Sequence, residues 1–483
     1  MEKKSIKKNY IFNLIYQILL LLTPLITTPY LSRVLGADGV GTVSFAESIV
    51  SYFTLFATLG ITTFGQREIS YVQDNKEKRT SVFWETKLLQ VITSTGALAV
   101  YVGFALFQQN RILYLILSFN IIAVLVDVVW LFQGMEEFGK IVLRNIIFKI
   151  ISISYIFIAV KTKDDVNKYV FGIAFFLFLS NLSLWLRVPG FVAKPNWKEI
   201  SPFRNLKVVI SLFVPTIAIQ IYTVLDKTMI GLITQNEFEN GYYEQAIKIS
   251  KIVMTVVTSL GTVMIPRIGY HFGRGETDKV NSFMYRGYRF VWFLGVPLCF
   301  GLLGTASNFV PWFFGDGYEK VVPLLGILGF LILAIGINNV TGMQYLIPTK
   351  RQNVFTITVL IGAGVNFVLN LILISLFQSI GAAIASVAAE TTIALIQLWF
   401  VRKELSIKRI FCSSWHYLIS GIVMLSLLTI VGRLFDPSIM NTIIMVVIGA
   451  TVYLIMLLLL RDDFLIDNSK SIFLKIMQKI KRG

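Results

Sequence analysis

The sequence predicts an all-α polytopic membrane protein of about 14 transmembrane helices, with two six-helix lobes related by a parallel repeat and two additional C-terminal helices. Apolar segments of about 20 residues, the length that crosses a bilayer as a helix, fill nearly the whole chain. Of its 483 residues, 55% are hydrophobic and only 15% are charged, with a mean hydropathy of +0.72; a soluble domain carries about 25% charge. No stretch is long and polar enough to form a soluble domain. The net charge of +17 would raise nucleic acid as a partner of a soluble chain, but here position decides. About 32 of the 44 Lys and Arg fall at the two ends and in alternate loops, about 7 in the opposite loops and about 5 within spans, which is the positive-inside pattern. No nucleic-acid partner is expected. The basic tail, with Lys470, Lys475, Lys479, Lys481 and Arg482, reads as a topology signal that attracts anionic lipid.

The spans run over approximately 10–32, 40–63, 83–107, 112–133, 141–160, 168–188 and 207–233. They continue over 241–265, 285–307, 321–346, 353–375, 379–401, 414–434 and 438–460. Residues 10–32 are too long for a signal-peptide core and lack a cleavage pattern, so they read as the first span. An even span count puts both termini, with Lys3, Lys4, Lys7 and Lys8 at the first, in the cytoplasm. Outer loops are short, and the turn QNEFENG carries no Lys or Arg.

Landmarks recur along the chain. Pro24, Leu35-Gly36, Gly41, Ala46, Leu59-Gly60 and Arg67 are matched by Pro215, Ile230-Gly231, Gly241, Ala246, Leu260-Gly261 and Arg267. Both copies start from the cytoplasmic side, so the halves should be related by an axis along the membrane normal, with a cleft between two bundles. The expected parts are a lobe over 1–200, a second over 201–410, two added helices over 411–462 and a basic cytoplasmic tail over 463–483. Pro24, Pro29 and Pro215 lie within spans, where each removes a backbone hydrogen bond and permits a kink.

A charge at mid-bilayer costs at least about 2.5–3.5 kcal/mol, so it normally faces a bundle interior or a watery cavity. This chain keeps Glu47, Asp127, Lys149, Asp226, Lys227, Glu244, Lys248, Lys251 and Glu390 within spans, and Arg33 caps the outer end of the first. Glu244, Lys248 and Lys251 stand at i, i+4 and i+7 and share one helix face. Folding the hairpin back near Glu237 puts Asp226 at the depth of Lys248, where an ion pair would lower the burial cost of both. Satisfied pairs that lock helices together and a cationic cavity for an anionic group both fit this pattern. The buried carboxylates are candidates for reversible protonation. No phosphate loop, GxSxG or HExxH is present, and His271, His416, Cys299 and Cys412 form no metal-site spacing. No enzymatic activity, cofactor, direct ATP use or disulfide is expected.

The stretches ITTPYLSRVLGADGVG, LGITTFGQREIS and DVVWLFQGMEEFGKIVLRNIIFKI resemble Wzx-type flippases of the polysaccharide transport branch of the MATE-like (MOP) superfamily. So do VPTIAIQIYTVLDKTMIG, NGYYEQAIKISKI and VMIPRI; the matches spread over residues 9–275. The resemblance implies movement of undecaprenyl-diphosphate-linked oligosaccharide from the inner to the outer leaflet of a bacterial plasma membrane, by alternating access. A polymerase and glycosyltransferases would be partners, serving capsule, O-antigen or exopolysaccharide synthesis. It implies a cationic central cavity, with Arg33, Lys149, Lys227, Lys248 and Lys251 as substrate residues. Glu47, Asp127, Asp226, Glu244 and Glu390 would balance charge or couple H+ or Na+. The alternative is a MATE-type multidrug antiporter, whose often cationic substrates would call for an acidic, aromatic cavity rather than clustered lysines.

Overall fold

The computed structural model describes residues 6–198, 200–412 and 414–467, and side chains at 6–14, 16, 214, 215, 218, 219, 221, 222, 262 and 263 are outside the description. The basic tail beyond residue 467 and the side chains of Lys7, Lys8 and Pro215 therefore lie outside the described residues, as do Lys3 and Lys4. Every regular element among the described residues is helical. Helices α1 (Ile6–Thr58), α2 (Ile61–Tyr71), α3 (Lys76–Leu106), α4 (Arg111–Val126), α5 (Val129–Gly134) and α6 (Phe138–Ala159) open the chain. They are followed by α7 (Val166–Ser183), α8 (Leu206–Thr234), α9 (Glu237–Thr258), α10 (Leu260–Gly273) and α11 (Thr277–Phe314). Next, α12 (Val321–Leu328) and α13 (Phe330–Asn338) lead into a π-helical stretch, Asn339–Leu346. Last come α14 (Gln352–Phe377), α15 (Ser379–Val401), α16 (Ile407–Cys412), α17 (Ser414–Gly432) and α18 (Ile439–Leu459).

Among the described residues, 11 helical segments are long and apolar enough to cross a membrane. The count of 14 is not reached by this measure. The first of these segments, Gln17–Tyr71, covers most of the span read over 10–32 and all of 40–63, and α8 and α9 are not among the 11. Helix α9 carries Glu237, Glu239, Glu244, Lys248 and Lys251; the charges that mark it as unusual also lower its apolarity.

The break within α1 falls at Gly36 (φ 71°, ψ 175°), where a residue without Cβ adopts a conformation that other residues rarely adopt. Pro24 and Pro29 sit in helical backbone before it. A second break, at Leu59-Gly60, separates α1 from α2, with both residues left-handed. At the matching place in the repeat, α9 ends at Thr258 and α10 starts at Leu260.

The chain forms two compact units, Met1–Gly241 and Tyr242–Gly483. Contacts place this division at 241/242, whereas the sequence repeat starts its second copy after 200; α8 packs against α1 and α2, which draws it into the first unit. In that unit α4 packs on α3 and α7, and α6 on α1 and α7. Its interior includes Tyr101, Leu117 and Ile121 at the α3–α4 contact and Phe83, Trp130, Leu131 and Phe132 around α5. In the second unit α14 pairs with α15, and α17 packs on α11 and α18, around Tyr288, Val296, Tyr417 and Met445.

Candidate functional site

In the first unit, α8 is docked on α1 through hydroxyls. Thr228 Oγ1 donates to Ser48 Oγ at 2.9 Å, and Tyr52 OH lies 3.0 Å from Thr228 Oγ1. This contact sets Glu47, on α1, and Asp226 and Lys227, on α8, beside the helix seam; all three are half-buried. Arg33 is exposed just before the Gly36 break, and its guanidinium donates to Pro29 O at 3.2 Å. Lys149 on α6 is half-buried, and among the described residues it makes no hydrogen bond or ion pair.

Asp127 has a structural setting that spacing did not reveal. It sits between α4 and α5, where a membrane span is interrupted. The last four carbonyls of a helix lack intrahelical partners, and leaving them bare in hydrocarbon costs several kcal/mol each. Here each receives a side-chain donor. Asn181 Nδ2 donates to Ala123 O (2.9 Å), Gln90 Nε2 to Val124 O (2.6 Å), Lys87 Nζ to Leu125 O (2.6 Å) and Trp185 Nε1 to Val126 O (2.7 Å). Lys87 Nζ also donates to Asp127 O at 2.9 Å and to Gln90 Oε1 at 3.3 Å. The Asp127 carboxylate accepts from the N–H of Val129, the first residue of α5, at 2.8 Å. A cation at a helix C-terminus also complements the helix dipole. Lys87, 3% exposed, lies within the span read over 83–107. The residues it holds lie 38 and 40 positions away, so sequence alone gave it no role.

In the second unit, Glu244 is 6% exposed and its carboxylate lies 3.0 Å from Lys248 Nζ, one helical turn on. The shared face of Glu244, Lys248 and Lys251 on α9 therefore begins with an ion pair, and Lys251 is exposed. Lys248 thus has Glu244 as a partner within the second unit, while the Asp226 expected from the hairpin belongs to the first.

Glu390 on α15 adjoins the π-helical stretch. Asn338 Nδ2 donates to its carboxylate at 2.5 Å and to its carbonyl at 3.1 Å. Around it, Tyr288 OH lies 2.8 Å from Thr341 Oγ1, Gln344 Nε2 donates to Asn339 Oδ1 at 2.9 Å, and Gln397 Nε2 donates to Thr358 Oγ1 at 3.1 Å. The π-helical winding widens one turn, a feature common at functional sites, and aims polar side chains inward from a mainly apolar span. None of these amides was singled out from sequence, because Asn and Gln within a span carry no charge signal. Below the stretch, Arg351 binds Glu404 through both guanidinium nitrogens at 2.7 and 2.8 Å, and Tyr345 OH donates to the same carboxylate at 2.6 Å. No group of three or more His, Cys, Asp or Glu that would hold a metal occurs among the described residues.

Broken spans, embedded ion pairs and buried amide clusters on an all-helical frame define a polytopic membrane protein of the MurJ/MATE-like fold. The fold matches the lipid II flippase MurJ in an inward closed conformation with a TM-score of 0.72 at 19% identity, covering 94% of this chain and 99% of that one. It also matches an inward-facing multidrug-resistance MATE transporter with a TM-score of 0.56 at 13% identity, over 84% of this chain and 98% of that one. By sequence, the chain belongs to the family described as polysaccharide biosynthesis protein, whose model matches residues 6–271, and the Wzx-type resemblance is borne out. It is 27% identical over 418 residues to the "Putative O-antigen transporter" of Escherichia coli K12, covering 83% of this chain and 98% of that protein. It is 21% identical over 437 residues to the "Probable low-salt glycan biosynthesis flippase Agl15" of Haloferax volcanii, covering 87% of this chain and 88% of that protein.

Proposed function

We propose that the chain is a flippase that moves undecaprenyl-diphosphate-linked oligosaccharide from the inner to the outer leaflet of a bacterial plasma membrane. Membership of the polysaccharide biosynthesis family carries this reading, and the relatives' descriptions as an O-antigen transporter and a glycan flippase agree with it. The residues supply a physical role. Lys248 and Lys251 on α9 and Lys227 on α8 are cations held in or beside apolar spans, and a charge-assisted hydrogen bond to a diphosphate oxygen is stronger there than in water. Lys149 and Arg33 add positive charge within the first unit. Glu47, Asp127, Asp226, Glu244 and Glu390 are the candidates for balancing these cations or for carrying a coupling H+ or Na+. Transport, not covalent catalysis, is the activity, with a polymerase and glycosyltransferases as its partners in synthesis of capsule, O-antigen or exopolysaccharide. Both termini face the cytoplasm on this reading, by the bias of Lys and Arg.

Protein-dependent transbilayer movement of the native lipid-linked oligosaccharide in proteoliposomes, with and without an imposed ion gradient, tests this. Lys248→Ala should slow it about tenfold or more, since a hydrogen bond to a charged group is worth about 1.5–3 kcal/mol. Unchanged movement by a well-folded Lys248→Ala/Lys227→Ala variant would remove these lysines from the substrate path. The MATE-like fold match keeps a multidrug antiporter as the second reading. Gradient-driven efflux of a dye cation, with no movement of the native glycan lipid, would favour it.

A further inference from the structure

We infer that the first unit carries a binding site for a neutral sugar at its outer end, separate from the lysines assigned to the anionic group. A cavity of about 540 Å³ opens where the turn after α3, the turn before α9 and the second half of α1 meet. Its size is within the range of about 300–1,000 Å³ usual for ligand pockets. Six amide side chains line it: Gln108, Gln109, Asn110, Gln235, Asn236 and Asn240. Each amide presents a donor and an acceptor side by side, which matches neighbouring hydroxyls on a sugar ring. Phe45, Phe107 and Tyr114 supply ring faces against which the C–H face of a sugar packs. Phe107 stands 91% exposed at the rim, where its ring is open to contact.

A further observation points to a ligand. Asn240 is 1% exposed, lines the cavity, and has its Oδ1 buried without a hydrogen-bond partner. Buried amide oxygens are nearly always bonded, so a hydroxyl brought by a ligand would complete this one. Charge then selects the sugar. Among the described residues neither Lys nor Arg lines the cavity and Glu237 is the formal charge on its wall, so a uronate would meet a like charge. The turns that form the cavity join spans whose other ends carry the Lys and Arg clusters, which puts it on the outer face. The source of the sugar rests on the flippase reading: the glycan of the lipid-linked substrate as it arrives on the outer side. The sugar chemistry itself does not depend on that reading.

The test uses the full chain in lipid nanodiscs against an array of neutral and uronate-bearing tri- to pentasaccharides. Neutral glycans should bind in preference to uronates. Binding should fall at least tenfold in Phe107→Ala/Gln109→Ala, both exposed and remote from the packed interior, and in Asn240→Leu. Gly96→Ala, on α3 where an added Cβ meets nothing within 4 Å, should bind them as the unaltered chain does. Capture of no neutral glycan by the folded chain, a preference for uronates, or undiminished binding by Phe107→Ala/Gln109→Ala would overturn the site. Translocation of the native lipid-linked glycan in proteoliposomes then separates the sources. Slower movement by the same double variant makes the transported glycan the occupant, and unchanged movement with lost sugar binding overturns that assignment. A chain that binds neutral glycans at this pocket yet moves no glycan lipid would refute the flippase reading and leave the sugar site standing.

Discussion

Lys87 and Lys149 are both lysines within apolar spans, and their surroundings assign them opposite duties. Lys87 donates to the carbonyls of Leu125 and Asp127 at the end of a broken helix; Lys149 has no such bond among the described residues. Replacing Lys87 by Met keeps its volume and leaves those carbonyls without their donor, at about 1–3 kcal/mol for each group stranded. Lys87→Met should therefore lower the melting temperature of the purified protein clearly, whereas Lys149→Met should leave it nearly unchanged. If Lys149 meets the substrate, its loss appears in transport alone. Equal melting of both variants would show that the α4 terminus is satisfied without Lys87. The charged candidate residues were legible as individuals because a charge in an apolar span is expensive wherever it sits. Their partners were not, except at one-turn spacing: Glu244–Lys248 follows from helix geometry, while Lys87 with Leu125, and Asn338 with Glu390, join residues far apart in sequence. The amides of the cavity beside α3 and α9 were hidden more deeply, since Asn and Gln near a turn are ordinary until a fold lines one space with six of them.

Two glycines that served in the sequence only as repeat landmarks also mark a helix crossing. Gly41 and Gly241, matched in the repeat, pack reciprocally: a Cβ on Gly41 would lie 1.7 Å from Glu237 O, and one on Gly241 would lie 1.9 Å from Ala37 O. Backbone thus meets backbone with no side chain between, which only glycine permits. Gly241→Ala must push α1 and α9 apart and should cost at least about 1–3 kcal/mol, the usual penalty of overpacking. Gly96→Ala on α3 meets nothing within 4 Å and should be neutral or mildly stabilising, as expected for alanine in a helix. Comparable thermal stability for both variants would contradict this crossing. Sequence did not show that α1 stays helical through Pro24 and Pro29 and breaks at Gly36, because proline marks a permitted kink while packing decides whether it occurs.

A different kind of joint ties the end of α15 to the start of α14. Burial works against the charge on Glu404, but its hydrogen bonds to Arg351 and Tyr345 outweigh this and lower its pKa. A depressed carboxylate contributes its stability fully above the unfolded value near 4.3 and loses it as pH falls through the lowered folded value. The side chain is 45% exposed, so solvent screening limits the contribution to less than about 1 kcal/mol. Thermal melts taken from pH 7 down to pH 3 should therefore show a small acid-side loss that Glu404→Gln lacks. An identical acid limb in both proteins would assign that loss to other carboxylates.

At the scale of the whole chain, the class of fold was legible because a bilayer allows few solutions: apolar runs of spanning length must become helices that satisfy their own backbone. The number of spans was less secure, since α9 is a helix whose five charges blur any hydropathy threshold, and α1 joins two spans into one helical run across Gly36. Orientation rests on the alternation of Lys and Arg, and the two native cysteines make it measurable without altering the chain. Cys299 is buried within α11, and Cys412 is exposed at the end of α16, in a loop that the charge bias assigns to the cytoplasm. A membrane-impermeant maleimide should leave the unaltered protein unlabelled in right-side-out vesicles and label it in inverted ones. Gln109→Cys in a Cys412→Ser background, in the turn after α3 that the same bias assigns to the outside, should reverse this by reacting from the right-side-out face. Labelling of Cys412 from the outside would invert the topology. The amide-lined cavity would then face the cytoplasm, where it would meet the sugar before translocation instead of after it.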